Sequence, residues 1–375
     1  VKFPIPFLHA ALIAGAVLLA VFDVHAAANA IVVGQAIDLS GPNGSIGRDY
    51  VAGITTYFDG INTRGGINGK KVKYVVRDDG GRSSESARQA GALIQQDHAQ
   101  YLLGAIGSEA TQAILAAPAF AGSRHVLFAP LADPTTSANP RVLFWRPSAE
   151  REFQFILSYF EKLGVRRIGI ALQESPQNRR IYQLVSEEMR KRGMNLVGTA
   201  PMTGTAEAVD GGAAQLTAAG AKLVLMIGDT IGAAQFLKAY RKRDGATFVA
   251  GTSLINLATL SEIAGAKATE WTVFSQVVPN PASGATALQS EHLAMMKKFR
   301  DEPVSSVTLE GFAVAKTLAK LIALDGDGRA GLQALAASKP GMDLGGMTLV
   351  GTDKKMALSE FVDIALFKRD GGLMY

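Results

Sequence analysis

The sequence predicts an α/β protein of two doubly wound parallel-sheet lobes, joined by a hinge with a cleft between them. Three observations predict it. From residue 31 onward, continuous apolar β runs alternate with amphipathic helical segments. Such runs, buried on both faces, belong to parallel sheets covered by helices. The alternation occurs in two successive series, and aromatic, proline-bearing stretches at 142–148 (VLFWRPS) and 271–279 (WTVFSQVVP) stand where the chain would pass between lobes.

The first series opens with the strand 31–39 (IVVGQAIDL). The segment 48–66 carries Val51, Ile54, Tyr57, Phe58 and Ile61 at helical spacing and stops at Gly-Gly. A strand over 70–79 ends in Asp78-Asp79, a helix over 83–96 begins with serines and Glu85, and a strand follows over 101–107. The Ala-rich helix 109–123, with Pro118 late in it, leads to the strand 125–132. The second series has helices over 149–164, 178–193, 208–220 and 230–245. Its strands cover 166–173, 195–202, 222–229 and 247–253. Two more helices, 286–301 and 307–326, precede a tail of short strands (MTLVGTD, VDIALFKRDG) suited to antiparallel pairing. Residues 31–147 with about 276–345 make the first lobe, and 148–275 with about 346–375 make the second lobe and tail.

Residues 1–30 stand apart from this pattern. Lys2 precedes the apolar run 7–22, and small residues follow at Val24 and Ala26, or Ala28 and Ala30. This is the pattern of a secretory signal peptide. The alternative is an uncleaved anchor, but the run is short for a spanning helix. An exported, periplasmic chain is expected. The 48% hydrophobic and 19% charged composition is globular, and the net charge of +5 is spread without basic–aromatic clusters, so nucleic acid is not an expected partner. With 0 cysteines there are no disulfides, thiolate metal sites or thiol nucleophiles.

Enzyme motifs are weak. Gly41, Gly44 and Gly47 lack the spacing of a dinucleotide fingerprint, and no Lys-Ser or Lys-Thr completes a phosphate loop. Ser108 lies outside any G-x-S-x-G elbow, and no motif sets His98, His125 or His292 as its base. Ser108 reads instead as a helix cap whose neighbouring N–H groups could also hold a carboxylate. Asp78-Asp79 reads as a solvated strand end before it reads as a metal site. Trp145 and Trp271 line a cleft or pack the hinge. No catalytic residue, metal or cofactor is expected.

Several strings carry a resemblance: DLSGPNGSIGRDYVAGITTYFDGIN, TRGGINGKKVKYVVRDD, GAIGSEATQA and LEGFAVAKTLAKLI. With the element order, they resemble the periplasmic substrate-binding proteins of branched-chain amino acid type ABC transporters, over nearly the whole chain after residue 30. The resemblance implies the type I periplasmic-binding fold, ligand capture by hinge closure, and delivery to an ABC permease in the inner membrane, without chemistry. A monomer is expected, because the cleft must open.

Carried over residue by residue, the resemblance makes Ser108 a donor to a ligand carboxylate. Pro130, Leu131 and Ala132 become a backbone contact segment, with Asp133 where the family has a Thr. An ionised Asp133 would repel an anion; its alternative is a turn cap facing water. Ile46 replaces an aromatic wall, Gln177 or Asn178 a Tyr, Asp229 an aromatic, and Thr252 or Ser253 the acidic partner of the ammonium. Two ligand readings stay open. Asp229 and Asp133 together meet an ammonium or amide, or the ligand is an aromatic or keto organic acid, or an uncharged polar compound. Three classes compete for the whole chain: a transport binding protein, a periplasmic sensor handing its closed form to a receptor, and an enzyme on a doubly wound fold.

Overall fold

The protein is described here by a computed structural model, in which residues 30–134, 137, 139–325, 332, 341–350, 357–368 and 373–375 are described. Of the expected signal peptide, only Ala30 falls within them. No described helix is long and apolar enough to cross a membrane.

The first sheet is built from β1 (Ile31–Ile37), β2 (Val72–Asp78), β3 (Tyr101–Leu103), β4 (Leu127–Phe128) and β5 (Val142–Leu143), all parallel, in the order β2-β1-β3-β4-β5. The second contains β6 (Arg167–Leu172), β7 (Asn195–Pro201), β8 (Leu223–Ile227), β9 (Phe248–Gly251) and β10 (Thr272–Gln276) in the order β7-β6-β8-β9-β10, again parallel. The two orders are the same, so one topology is used twice. Two antiparallel edge strands extend the second sheet. These are β13 (Asp363–Phe367), paired to β10, and β14 (Leu373–Met374). The short pair β11 (Met342–Asp343) and β12 (Thr348–Leu349) stands alone.

The first lobe's helices are α1 (Gly44–Thr63), α2 (Ser83–Gln95), α3 (Ser108–Ala116) and α4 (Pro118–Ala121). The second carries α5 (Ala149–Lys162), α6 (Pro176–Lys191), α7 (Ala206–Ala218), α8 (Thr230–Arg241), α9 (Leu257–Ala264) and α10 (Ala266–Thr269). The chain then returns as α11 (Ala287–Phe299) and α12 (Ser306–Leu324), which pack with α1. Both returning helices start at capping boxes, from Thr286 with Gln289 and from Ser305 with Thr308.

Local chemistry explains the departures from the sequence reading. The expected helix 109–123 is broken at Ala117, whose extended ψ of 134° sets Pro118 at the first position of a new turn. Both presumed passages contribute strands, because the apolar pair Val142–Leu143 and the fully buried run Thr272–Gln276 complete their sheets. The short helices α9 and α10 were absent from the sequence reading; α9 starts at an Asn256 cap that bonds Thr259 N–H.

Three passages link the lobes. The first runs from β5 to α5 and the second from β10 to α11. The third leaves the first lobe's core at Leu358 and joins the second sheet at Asp363. First and third run together: Leu358 N–H donates to Phe144 O (2.9 Å) and Ser359 N–H to Trp145 O (2.8 Å). Trp145 is buried and donates to Thr317 Oγ1 (3.0 Å), so it packs the hinge. Trp271 is partly exposed and meets the edge of Phe248, away from the passages.

α12 is buried nearly all round, as a central helix must be. It lies on α1 at a glycine crossing. A Cβ at Gly53 would overlap Thr308 O, and one at Gly311 would overlap Tyr50 O. Beside it His292, on α11, sits between Thr308 Oγ1 (3.1 Å) and the Phe312 ring. Burial pushes its pKa down from 6.5 to about 4.

Two predictions follow from this packing. Gly53→Ala forces the helices apart and costs about 1–3 kcal/mol, read as a lower midpoint in thermal unfolding. His292 stays neutral in the folded chain while the unfolded chain protonates it. Its stabilising share, about 3 kcal/mol, is therefore intact above pH 6.5 and lost as pH falls towards 4. The carboxyls of half-buried Asp49 and buried Asp79 and Glu310, all raised by desolvation, act in the opposite sense. The difference between wild-type and His292→Gln denaturation curves should therefore be constant above pH 6.5, and the wild type should lose stability relative to the variant as pH falls towards 4.

Candidate functional site

In a doubly wound sheet the loops at the carboxyl ends of the strands gather at the switch point, where ligands bind. Here the loops after β4, β6, β8 and β9 meet the first passage around one cavity of about 60 Å³. That is room for a few water-sized bodies and far short of a dinucleotide. The first lobe supplies Ala132 and Asp133, and the passage supplies Arg146 and Pro147. α5 supplies Ala149, Glu152 and Phe153; α6 supplies Gln177, Asn178 and Ile181; Gly228, Thr252 and Leu254 complete the wall. Ala149, Gln177 and Asn178 lie in the first turns of their helices, so two positive helix ends face this space.

The strongest charges are buried in the wall. Arg146 lies between Glu152 (Nη2–Oε1 3.6 Å) and Glu310 of α12 (Nε–Oε1 3.7 Å), and it also donates to Ser253 Oγ. All three charged side chains are at most 5% exposed. Glu152 Oε2 accepts from Ser253 N–H (2.9 Å) and Ser275 Oγ–H (2.7 Å). Desolvation raises the Glu310 pKa, opposed by the Arg146 charge. This cluster joins the first passage, both lobes and β10. Arg146 Nη1 is buried and has no acceptor among the described residues.

Of the residues expected from sequence, Ala132, Asp133, Gln177 and Thr252 are brought together around this cavity. Asp133 is buried rather than water-facing, and its Oδ2 accepts from Ala149 N–H (3.0 Å), stitching the first lobe to the start of α5. Asp229 adjoins Gly228, but both its oxygens are engaged: Oδ1 by Gly232 N–H as the cap of α8 (2.8 Å), Oδ2 by Gln173 Nε2 (2.7 Å). Ser108, Pro130, Leu131 and Ile46 are not among the cavity's lining residues. Ile46 and Leu131 pack in the first lobe's core. The cap of α3 is Gly107, at φ 93°, a backbone state glycine adopts readily, and Ser108 is the first helical residue. Asp79 is buried, not a solvated strand end; with Asp38 and Asp78 it forms a turn knot whose oxygens accept from Gly41, Asn43, Leu39, Gly80, Gly81 and Ser86.

Sequence reasoning missed Arg146, Glu152 and Glu310. The available signal was an arginine directly after the apolar strand run VLFW, a position that demands buried partners.

A model of the periplasmic binding protein family matches residues 30–357. An amino acid binding protein of Pseudomonas aeruginosa is 37% identical over 87 residues, covering 23% of this chain and 23% of its own length. A substrate-binding periplasmic protein from Ralstonia solanacearum is similar in structure, with a TM-score of 0.82 and 26% identity over 92% of this chain and 99% of that one. Two further structures share the fold. An extracellular ligand-binding receptor from Verminephrobacter eiseniae has a TM-score of 0.85 and 24% identity over 92% and 100% of the two chains. A leucine binding protein from Thermotoga maritima has a TM-score of 0.78 and 14% identity over 92% and 97%.

Removing one member of the buried charge cluster leaves its partner uncompensated. Glu152→Ala should cost about 3–5 kcal/mol, measured as a lower urea midpoint with an unchanged slope.

Proposed function

The chain belongs to the periplasmic binding protein family, and from that premise we propose that it captures a small carboxylate-bearing solute outside the cytoplasm for an ABC importer. The solute is an amino acid or an aromatic or keto acid. The observation that carries the reading is the cavity itself. Loops from both lobes line it, the first turns of α5 and α6 face it, and a buried arginine forms part of its wall. The first lobe offers Ala132 and Asp133; rotation about the three passages brings Gln177, Gly228 and Thr252 across the solute. A permease then recognises the closed form, whose population rises with the solute's preference for it. Export through the segment 1–30 and action as a monomer belong to the same proposal.

Refolded protein, stripped of bound solute, tests this by thermal unfolding with amino acids, keto acids, aromatic acids, amines and sugars. A bound solute at a hundred times its Kd adds about 2.7 kcal/mol, and small-angle scattering should show a smaller radius of gyration. Stabilisation by amines or sugars alone overturns the carboxylate reading. Gene deletion should abolish uptake of the stabilising acid. Unchanged uptake with a lost cellular response to that acid makes the protein a sensor.

A further inference from the structure

We infer that Arg146 is the anion anchor of the cavity, its Nη1 donating to a carboxylate oxygen of the solute. The inference rests on the carboxylate reading above and names the residue that enforces it, a role given to Ser108 by the sequence alone.

Three nitrogens of the guanidinium have separate fates. Nε faces Glu310 and Nη2 faces Glu152 and Ser253 Oγ. Nη1 is fully buried and meets no acceptor among the described residues, while Arg146 is part of the cavity wall. A buried donor left unmade is costly, and a carboxylate oxygen at this nitrogen would make a charge-assisted bond. None of the neighbouring carboxylates accepts from Nη1. Glu152 Oε2 is filled by Ser253 N–H and Ser275 Oγ–H, and Asp133 Oδ2 by Ala149 N–H. Glu310 approaches Nε at 3.7 Å, outside hydrogen-bond range. Desolvation raises the Glu310 pKa against the opposing Arg146 charge. The first turns of α5 and α6, which also line the cavity, add positive potential. Ser108 is outside this wall, so the anchor moves from the third helix of the first lobe to the hinge.

Calorimetry on the protein tests it with leucine, 4-methyl-2-oxopentanoate and benzoate, each beside its primary amide. An acid should bind the wild type, and its amide should bind at least about tenfold more weakly. Arg146→Gln should weaken the acid on the order of 10- to 100-fold and leave the amide nearly unchanged, with Arg146→Lys in between. Glu310→Gln keeps the shape and removes a competing carboxyl, so it should tighten the acid severalfold and not the amide. This variant decides the matter if Arg146→Gln fails to fold. Acid binding unchanged in Arg146→Lys and in Glu310→Gln overturns the inference and leaves the carboxylate reading standing. Amides that bind where their acids do not overturn both.

Discussion

The buried Arg146–Glu152–Glu310 cluster is the constraint on which the rest of the molecule depends. Its members come from the first passage, from a helix of one lobe and from a helix of the other. An ion pair in a protein interior gains little net stability, because desolvation offsets attraction. What such a cluster does supply is position. Any arrangement of the lobes that separates these groups leaves a bare charge in a dry site. The passage is therefore fixed at Arg146 while the segments on either side can turn. Ser253 and Ser275 extend the fixation to the ends of β9 and β10. The hinge and the cavity wall are the same residues.

The fold was legible in the sequence because its signal is periodic and local. Apolar runs such as LVLMI (223–227), set between helical segments, read as strands buried on both faces. The N-terminal caps Ser148, Thr205 and Ser305 mark helix starts by residue type alone. The site was legible only in part. Ala132, Asp133, Gln177 and Thr252 follow strands, and loops after strands converge in this topology whatever their sequence. The roles within the site were not legible. Asp229 is absorbed by capping α8 and Asp133 by the first amide of α5, and these are settled by partners 3 and 16 residues away. Arg146 was hidden because Glu310 comes from a returning helix, a contact no local pattern encodes. Ser108 attracted a role through its position, yet Gly107 does the capping because φ 93° is available to glycine.

The repeated strand order explains why one cavity serves two lobes. In β2-β1-β3-β4-β5 and in β7-β6-β8-β9-β10, the switch point falls between the first and third strand of each series. Each lobe presents its carboxyl ends, and the glycine crossing of α1 with α12 ties the returning helix firmly to the first lobe. One contact between the lobes is a polar one: Asn256 Nδ2 lies 3.5 Å from Asp49 Oδ2, which also accepts from Ser305 Oγ–H. Such a contact is weak enough to part and specific enough to register the lobes when they meet.

The three passages have a thermodynamic consequence beyond geometry. Two independent domains that had to find each other around a solute would lose translational and rotational freedom on closing, at a cost of several kcal/mol. Here the first and third passages are bonded to each other through Phe144, Trp145, Leu358 and Ser359, so nearly all of that freedom is removed by the covalent chain beforehand. One lobe stands at a high effective concentration with respect to the other. A solute with only a handful of polar atoms then has to offset little more than one rotation. A cavity this small is sufficient because the chain itself has already done the assembling.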